Sequence, residues 1–258
     1  MKEDSIAASP APDRGAVAAG PASRADPGSV AAADAVADAE IRAQVEAEQL
    51  RMVFGHTTSG TIIGTAFALG LAAHLSDSVP AGLLLSWVVL KLAVALPRIV
   101  QAQVYRLRER PGSRAWQHGT AALLALDGAC WGLGGAWMTS AASTEVVAQV
   151  AASLCCVASV ATFGLQVRFA ATAAYVVPMI GPTAVALLAR GDRLGLFAGV
   201  GLLLFLGLLL NTARNSERRL SEVFRLRFLT DRISAERAHA LELAQRQSMV
   251  KNQFLAAM

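Results

Sequence analysis

The sequence predicts an all-α integral membrane protein: a six-helix transmembrane bundle with a disordered N-terminal tail and a C-terminal cytoplasmic coiled-coil helix. Three observations carry that expectation. Hydrophobic residues make up 54% of the 258 and charged residues only 16%, and mean hydropathy is +0.46. Charge is also segregated: long stretches between Phe54 and Thr212 carry almost none, as membrane spans require. The last stretch, Ala213 to Met258, is polar, lacks Pro and Gly, and repeats apolar residues at spacings of three and four.

Residues 1–30 are Ala, Pro, Ser, Gly and Asp with almost no large apolar side chain. They cannot bury enough surface to offset chain entropy, so a disordered tail is expected. It is acidic: residues 1–50 hold nine Asp/Glu against four Lys/Arg. No apolar core follows a basic start, so no signal peptide is expected. From residue 31 to 53 an Ala-rich run through Ile41, Val45, Leu50 and Val53 favours a juxtamembrane helix.

Six apolar runs follow, at about 54–75, 79–100, 117–138, 146–166, 170–189 and 194–212. Each is near the ~20 residues that cross a bilayer core of ~30 Å. The links are short, so neighbours are antiparallel. The second link carries Arg106, Arg108, Arg110 and Arg114, the fourth carries Arg168, and the sixth run exits through Arg214, Arg218 and Arg219. The first and third links have no Lys or Arg; Arg190 and Arg193, around Asp192 in the fifth, run against the trend. This bias places both termini in the cytoplasm. The net charge of +4 is thus an orientation signal and not a nucleic-acid footprint. Trp116 and Trp137 fall near opposite ends of the third run, as interfacial anchors do.

Within the runs, Gly60-xxx-Gly64, Gly128-xxx-Gly132 and Gly195-xxx-Gly199 mark faces where helix backbones can approach. Pro178 and Pro182 predict a kink in the fifth helix. Lys91 and Asp127 are charges deep within apolar runs, where charge is costly. Counting from the run ends, Lys91 lies about 18 Å from the outer face and Asp127 about 15 Å from the inner one. The two depths agree within a helical turn, so an intramembrane ion pair is expected.

The terminal segment repeats as a heptad, with Leu226, Leu229, Ile233, Leu243, Val250 and Phe254 as core and Glu236 and Gln247 as polar interruptions. It predicts a homodimer through this helix. No catalytic constellation is legible: there is no phosphate-binding glycine loop and no nucleophile with a base and an orienting acid. Cys130, Cys155 and Cys156 lack metal-site or disulfide spacing and read as small packing residues. His56 and His118 read as interfacial, and His239 as a solvated surface residue.

The segment Gln247-Ser-Met-Val-Lys-Asn-Gln-Phe-Leu-Ala-Ala-Met258 resembles the approach to the phosphoacceptor box of sensor histidine kinases. In that family a Lys-(Ser/Asn)-x-Phe-Leu-Ala-x-(Met/Ala) segment runs into a Ser-His pair; Lys251, Asn252, Phe254, Leu255, Ala256 and Met258 match. The block before it, with a Trp-rich third helix, a proline-broken fifth and an Arg-rich exit reading Arg225-Leu-Arg-Phe228, is similar to the membrane input regions ahead of such kinases. The resemblance implies the N-terminal sensor region of a bacterial, possibly hybrid, histidine kinase, ending just before the phosphoacceptor His box. Residues 54–212 would be a six-span sensor domain of the bacterial inner membrane. Residues 213–258 would be the signalling and dimerisation helix.

The same resemblance implies ATP and Mg for a kinase core beyond the chain, and a response regulator or receiver domain as its partner. No cofactor is expected within the chain itself, and the lipid bilayer is its remaining partner. Similar input blocks also precede cyclic-dinucleotide enzymes of the GGDEF/EAL type, which is the alternative reading. A small transporter or channel is a third; it would favour broken helices in matching halves, and no internal repeat is evident.

Overall fold

A computed structural model describes residues 27–108, 114–140 and 143–256. The tail expected over residues 1–30 lies outside the described residues up to residue 26. The described chain contains six helices: α1 Pro27–His74, α2 Ala81–Arg108, α3 Arg114–Thr139, α4 Thr144–Leu165, α5 Phe169–Ala189 and α6 Arg193–Ala256. Two compact units divide it, Met1–Ala39 and Glu40–Met258. The described part of the first is the opening of α1, which starts at Pro27 and so ahead of residue 31. Proline suits that position, because the first helical N–H has no partner to lose. All packing described below belongs to the second unit.

Five helices, α2 to α6, contain stretches long and apolar enough to cross a membrane. The protein is therefore an all-α membrane protein. α1 falls short of that mark because His56, Thr57, Thr58, Ser59, Thr61 and Thr65 dilute its apolar run. Several of these hydroxyls are satisfied within the helix: Thr57 donates to the Val53 carbonyl, Thr61 to that of Thr57 and Thr65 to that of Thr61. Such back-bonding lets Thr sit in an apolar setting without an unpaired donor.

α3 is the hub. Close backbone approaches join it to α2, α4 and α5, and α5 to α6. Glycines make this possible. A Cβ at Gly128 would run into the Tyr175 carbonyl of α5, and one at Gly132 into the Pro178 carbonyl. Gly134 leaves room for the Trp87 ring of α2, and Gly135 for the Thr183 side chain of α5. Thr183 Oγ1 then donates to the Gly132 carbonyl at 3.0 Å, and Trp87 Nε1 to the Cys130 carbonyl at 3.0 Å. Gly199 likewise admits Leu188 of α5 beside α6. Gly60 and Gly64 differ: a Cβ at either would meet open space, so this third small-residue pattern packs against no helix among the described residues.

α5 runs unbroken through Pro178 and Pro182. Pro182 has no N–H to give to the Pro178 carbonyl one turn back. That freed carbonyl is the one facing Gly132, so the proline and the glycine together set the α3–α5 contact.

The two ends of the bundle differ. At one, Phe54 of α1 stacks on Tyr105 of α2 with ring centroids 4.0 Å apart, and Trp116 of α3 meets both edge-on. There α1 and α6 also meet, through Ile41, Val45 and Phe224 with Val167 of the α4–α5 link, and through Gln49 Nε2 donating to Ser221 Oγ at 2.9 Å. At the other end Asp192 starts α6 by accepting from the Gly195 N–H at 2.9 Å. Arg190 pairs with Asp192 and also donates to the Thr139 carbonyl at the end of α3. Arg190 is thus committed to a helix C-terminus and a carboxylate, which accounts for an arginine that runs against the charge trend. Gly191 between them has φ +74°, a conformation costly for any residue with a Cβ.

Candidate functional site

Asp127 lies halfway along α3 and is 1% exposed. Lys91 of α2 donates through Nζ to its Oδ1. Arg98, also on α2, donates through Nη1 to its Oδ2. Lys91 and Arg98 are 2% and 8% exposed, so all three groups are covered by protein and not merely by lipid. Residues seven apart share a helix face after two turns, which lets both cations reach one carboxylate. Formally the cluster carries two positive charges and one negative.

The sequence pairs Lys91 with Asp127 by depth but does not include Arg98. The signal was available: Arg98 follows Lys91 by one heptad, inside the second run.

Aromatic rings complete the setting. Lys91 Nζ lies 5.1 Å from the Trp131 ring centroid, and the Arg98 guanidinium 5.7 Å from that of Tyr175. Both are within cation–π range. Trp87 meets Trp131 edge-on at 5.2 Å, fixing the ring above the lysine. The Trp131 indole N–H is buried without a partner among the described residues.

Arg98 and Tyr175 also form the floor of a cleft of about 430 Å³ between α1 and α4. One wall carries Thr57, Gly60 and Gly64 of α1, and the other Val157, Val160 and Gly164 of α4. The volume lies in the range of small-molecule sites, roughly 300–1,000 Å³. A smaller cavity of about 150 Å³ lies at the Arg168 side, lined by Gln117 and His118. There Arg168 Nη2 donates to Gln117 Oε1 at 2.9 Å. His56 lines the larger cleft and His118 the smaller one. No group of three or more His, Cys, Asp or Glu side chains is placed to hold a metal ion among the described residues.

The heptad positions lie on the outer part of α6. Leu226, Ile233 and Leu243 are exposed apolar residues there. Leu229 is half-buried and packs toward Ile41, Val45 and Phe224, so one of the expected core residues has a neighbour in its own chain. Val250 and Phe254 are on the helix, but their side chains lie outside the described set. His239 is exposed on the same stretch. Cys130 is buried, Cys155 half-buried and Cys156 exposed, and none is in a disulfide.

No family model, no curated protein and no solved structure matches this chain.

Proposed function

We propose that the chain is the membrane sensory input and dimerisation region of a two-component histidine kinase, ending beside the phosphoacceptor box. In this reading α1 crosses the bacterial inner membrane with the other five helices, and both termini are cytoplasmic. The observation that carries it is α6, a single helix of 64 residues from Arg193 to Ala256. At ~1.5 Å per residue it is about 96 Å long. It joins the membrane bundle without a break to residues 251–256, the described part of the segment that resembles the histidine-box approach. A rigid rod of this kind can pass rotation, sliding or bending of the bundle to a partner domain.

The contact of α1 with α6 below the bundle supports the same mechanism. Gln49, Ile41 and Val45 hold α6 near its exit, so movement of α1 would be felt there. Two exposed apolar stripes from two copies would then pair and present their kinase cores to each other. Phosphoryl transfer belongs to that core, with ATP and Mg, and the phosphoryl group would pass to a response regulator or receiver domain.

The coding sequence after Met258 tests the assignment directly. A Ser-His-(Asp/Glu)-Leu-Arg continuation is expected. A GGDEF-type domain in its place would transfer the same input role to a cyclic-dinucleotide enzyme and end the kinase reading.

A further inference from the structure

The cleft between α1 and α4 is open on the side where Val160, Ile63 and Phe163 are exposed; Phe163 is 75% exposed. In a bilayer those side chains face acyl chains, so the cleft opens sideways into lipid. Its walls are mostly apolar, and the glycines at 60 and 64 leave a smooth slot where side chains would otherwise stand. The hydroxyls of its α1 wall are occupied: Thr57 donates to the Val53 carbonyl and Ser59 to that of His56. At its floor is Arg98, whose bond to Asp127 engages one of five guanidinium N–H groups. Behind Arg98, one carboxylate faces two cations. The site therefore has a formal surplus of one positive charge at the closed end of an apolar slot.

We propose that this cleft binds a single-chain amphiphile with an anionic oxygen head group, carboxylate or phosphate, taken from the surrounding bilayer. The head would pair with the free edge of the Arg98 guanidinium, a planar fork suited to such oxyanions. The chain would lie along Gly60 and Gly64 toward Val160. The surplus positive charge of the Lys91, Asp127 and Arg98 cluster would then be balanced by ligand, and α1 would be drawn toward α4. Because α1 also touches α6, occupancy would bear on the signalling helix. The inference rests on α1 lying in the membrane as a sensor helix; binding involves no kinase step, so its failure leaves the kinase reading untouched.

The test uses the 258-residue chain in nanodiscs of zwitterionic lipid, with radiolabelled dodecanoate, dodecyl phosphate and dodecanol as probes and empty nanodiscs as reference. Saturable uptake above the reference is expected for the two anions, with dodecanol at least about tenfold weaker, the scale of one charge-assisted hydrogen bond. Whichever anion binds more tightly identifies the head group. Arg98→Gln should weaken the anions by a similar factor and leave dodecanol unchanged. Gly64→Leu fills open space, so it should abolish uptake while leaving thermal unfolding and oligomeric state as in the parent. Equal binding of dodecanol and dodecanoate, or uptake no greater than in empty nanodiscs, overturns the proposal. So does a Gly64→Leu chain that dissociates, since the slot would then be filled by a second copy.

Discussion

Arg98 reaches the same carboxylate as Lys91, from two helical turns further along α2. Asp127 therefore neutralises one of two buried cations and bridges both, and the three residues respond unequally to substitution. Lys91→Met leaves Arg98 and Asp127 as a matched pair and should be the mildest change. Asp127→Leu strands two cations. Stranding one buried partner typically costs about 3–5 kcal/mol, and the insertion cost of a central charge is about 2.5–3.5 kcal/mol. The double variant Lys91→Met with Asp127→Leu still strands Arg98, so it should remain well below the parent. Apparent melting temperatures in one detergent give the order: parent, Lys91→Met, the double variant, Asp127→Leu. Full recovery in the double variant would mean that Arg98 does not share the carboxylate.

The glycines of α3 separate from those of α1 by what their missing Cβ would meet. Gly132→Ala drives a methyl group into the Pro178 backbone, which cannot yield as a flexible side chain can. A loss of roughly 1–3 kcal/mol is expected from such overpacking. Gly60→Ala enters open space and gains helix propensity, so it should be neutral or stabilising by up to about 1 kcal/mol. Thermal unfolding of the two variants side by side measures this. Comparable losses would place α1 against a neighbour.

The turn between α5 and α6 should respond to acid. Hydrogen bonds from Arg190 and then from the Gly195 N–H hold the Asp192 carboxyl below its ordinary value of 3.8. A depressed carboxyl adds stability that is complete above the ordinary value and lost as pH falls through the folded one. The parent should therefore exceed Asp192→Asn by a constant small margin down to about pH 5, with the gap closing at more acidic pH. The site is exposed, so the margin is modest. Melting curves of both proteins between neutral and acidic pH would reveal the trend, and a gap that widens on acidification would contradict it.

How far these features were legible before the structure depended on how local their cause was. The six helices follow from apolar runs and short links; α3, α4 and α5 match their runs within a few residues, while α1, α2 and α6 continue beyond theirs into polar sequence. The contact of Lys91 with Asp127 could be seen because charge at depth is rare and two equal depths are easily compared. Arg98 was missed because its role is set by α3, not by its own flanks. The glycine patterns look alike in sequence, yet Gly128 and Gly132 face α5 while Gly60 and Gly64 face a cleft. Spacing specifies a face and leaves its neighbour undetermined. Pro178 and Pro182 predict a kink from sequence alone, but their neighbour does not follow from it: α5 is helical through both and packs on α3 at Gly132 and Thr183.

Paired copies of α6 should meet along the stripe that includes Ile233 and Leu243, both left exposed by the single chain. Cysteine at Leu243 should cross-link between copies in native membranes several-fold faster than cysteine at Glu242, after Cys156 is replaced by Ser to remove the exposed native thiol. Leu229 is less suitable as a reporter, since it leans on α1 within its own chain. Equal rates at the two positions would show that the heptad register does not describe an interface.

The most direct test of the input-region reading is phosphorylation of the intact protein, from its own coding sequence, in inverted membrane vesicles. With Mg and γ-labelled ATP, the account predicts a labelled band of the full-length protein whose phosphate is stable to base and labile to acid, as a phosphohistidine is. The label should disappear when the histidine of the expected Ser-His pair is replaced by Gln, and its rate should change in Asp127→Asn membranes that hold equal amounts of protein. A folded, membrane-inserted protein that takes up no label, or whose label survives removal of that histidine, would contradict the account.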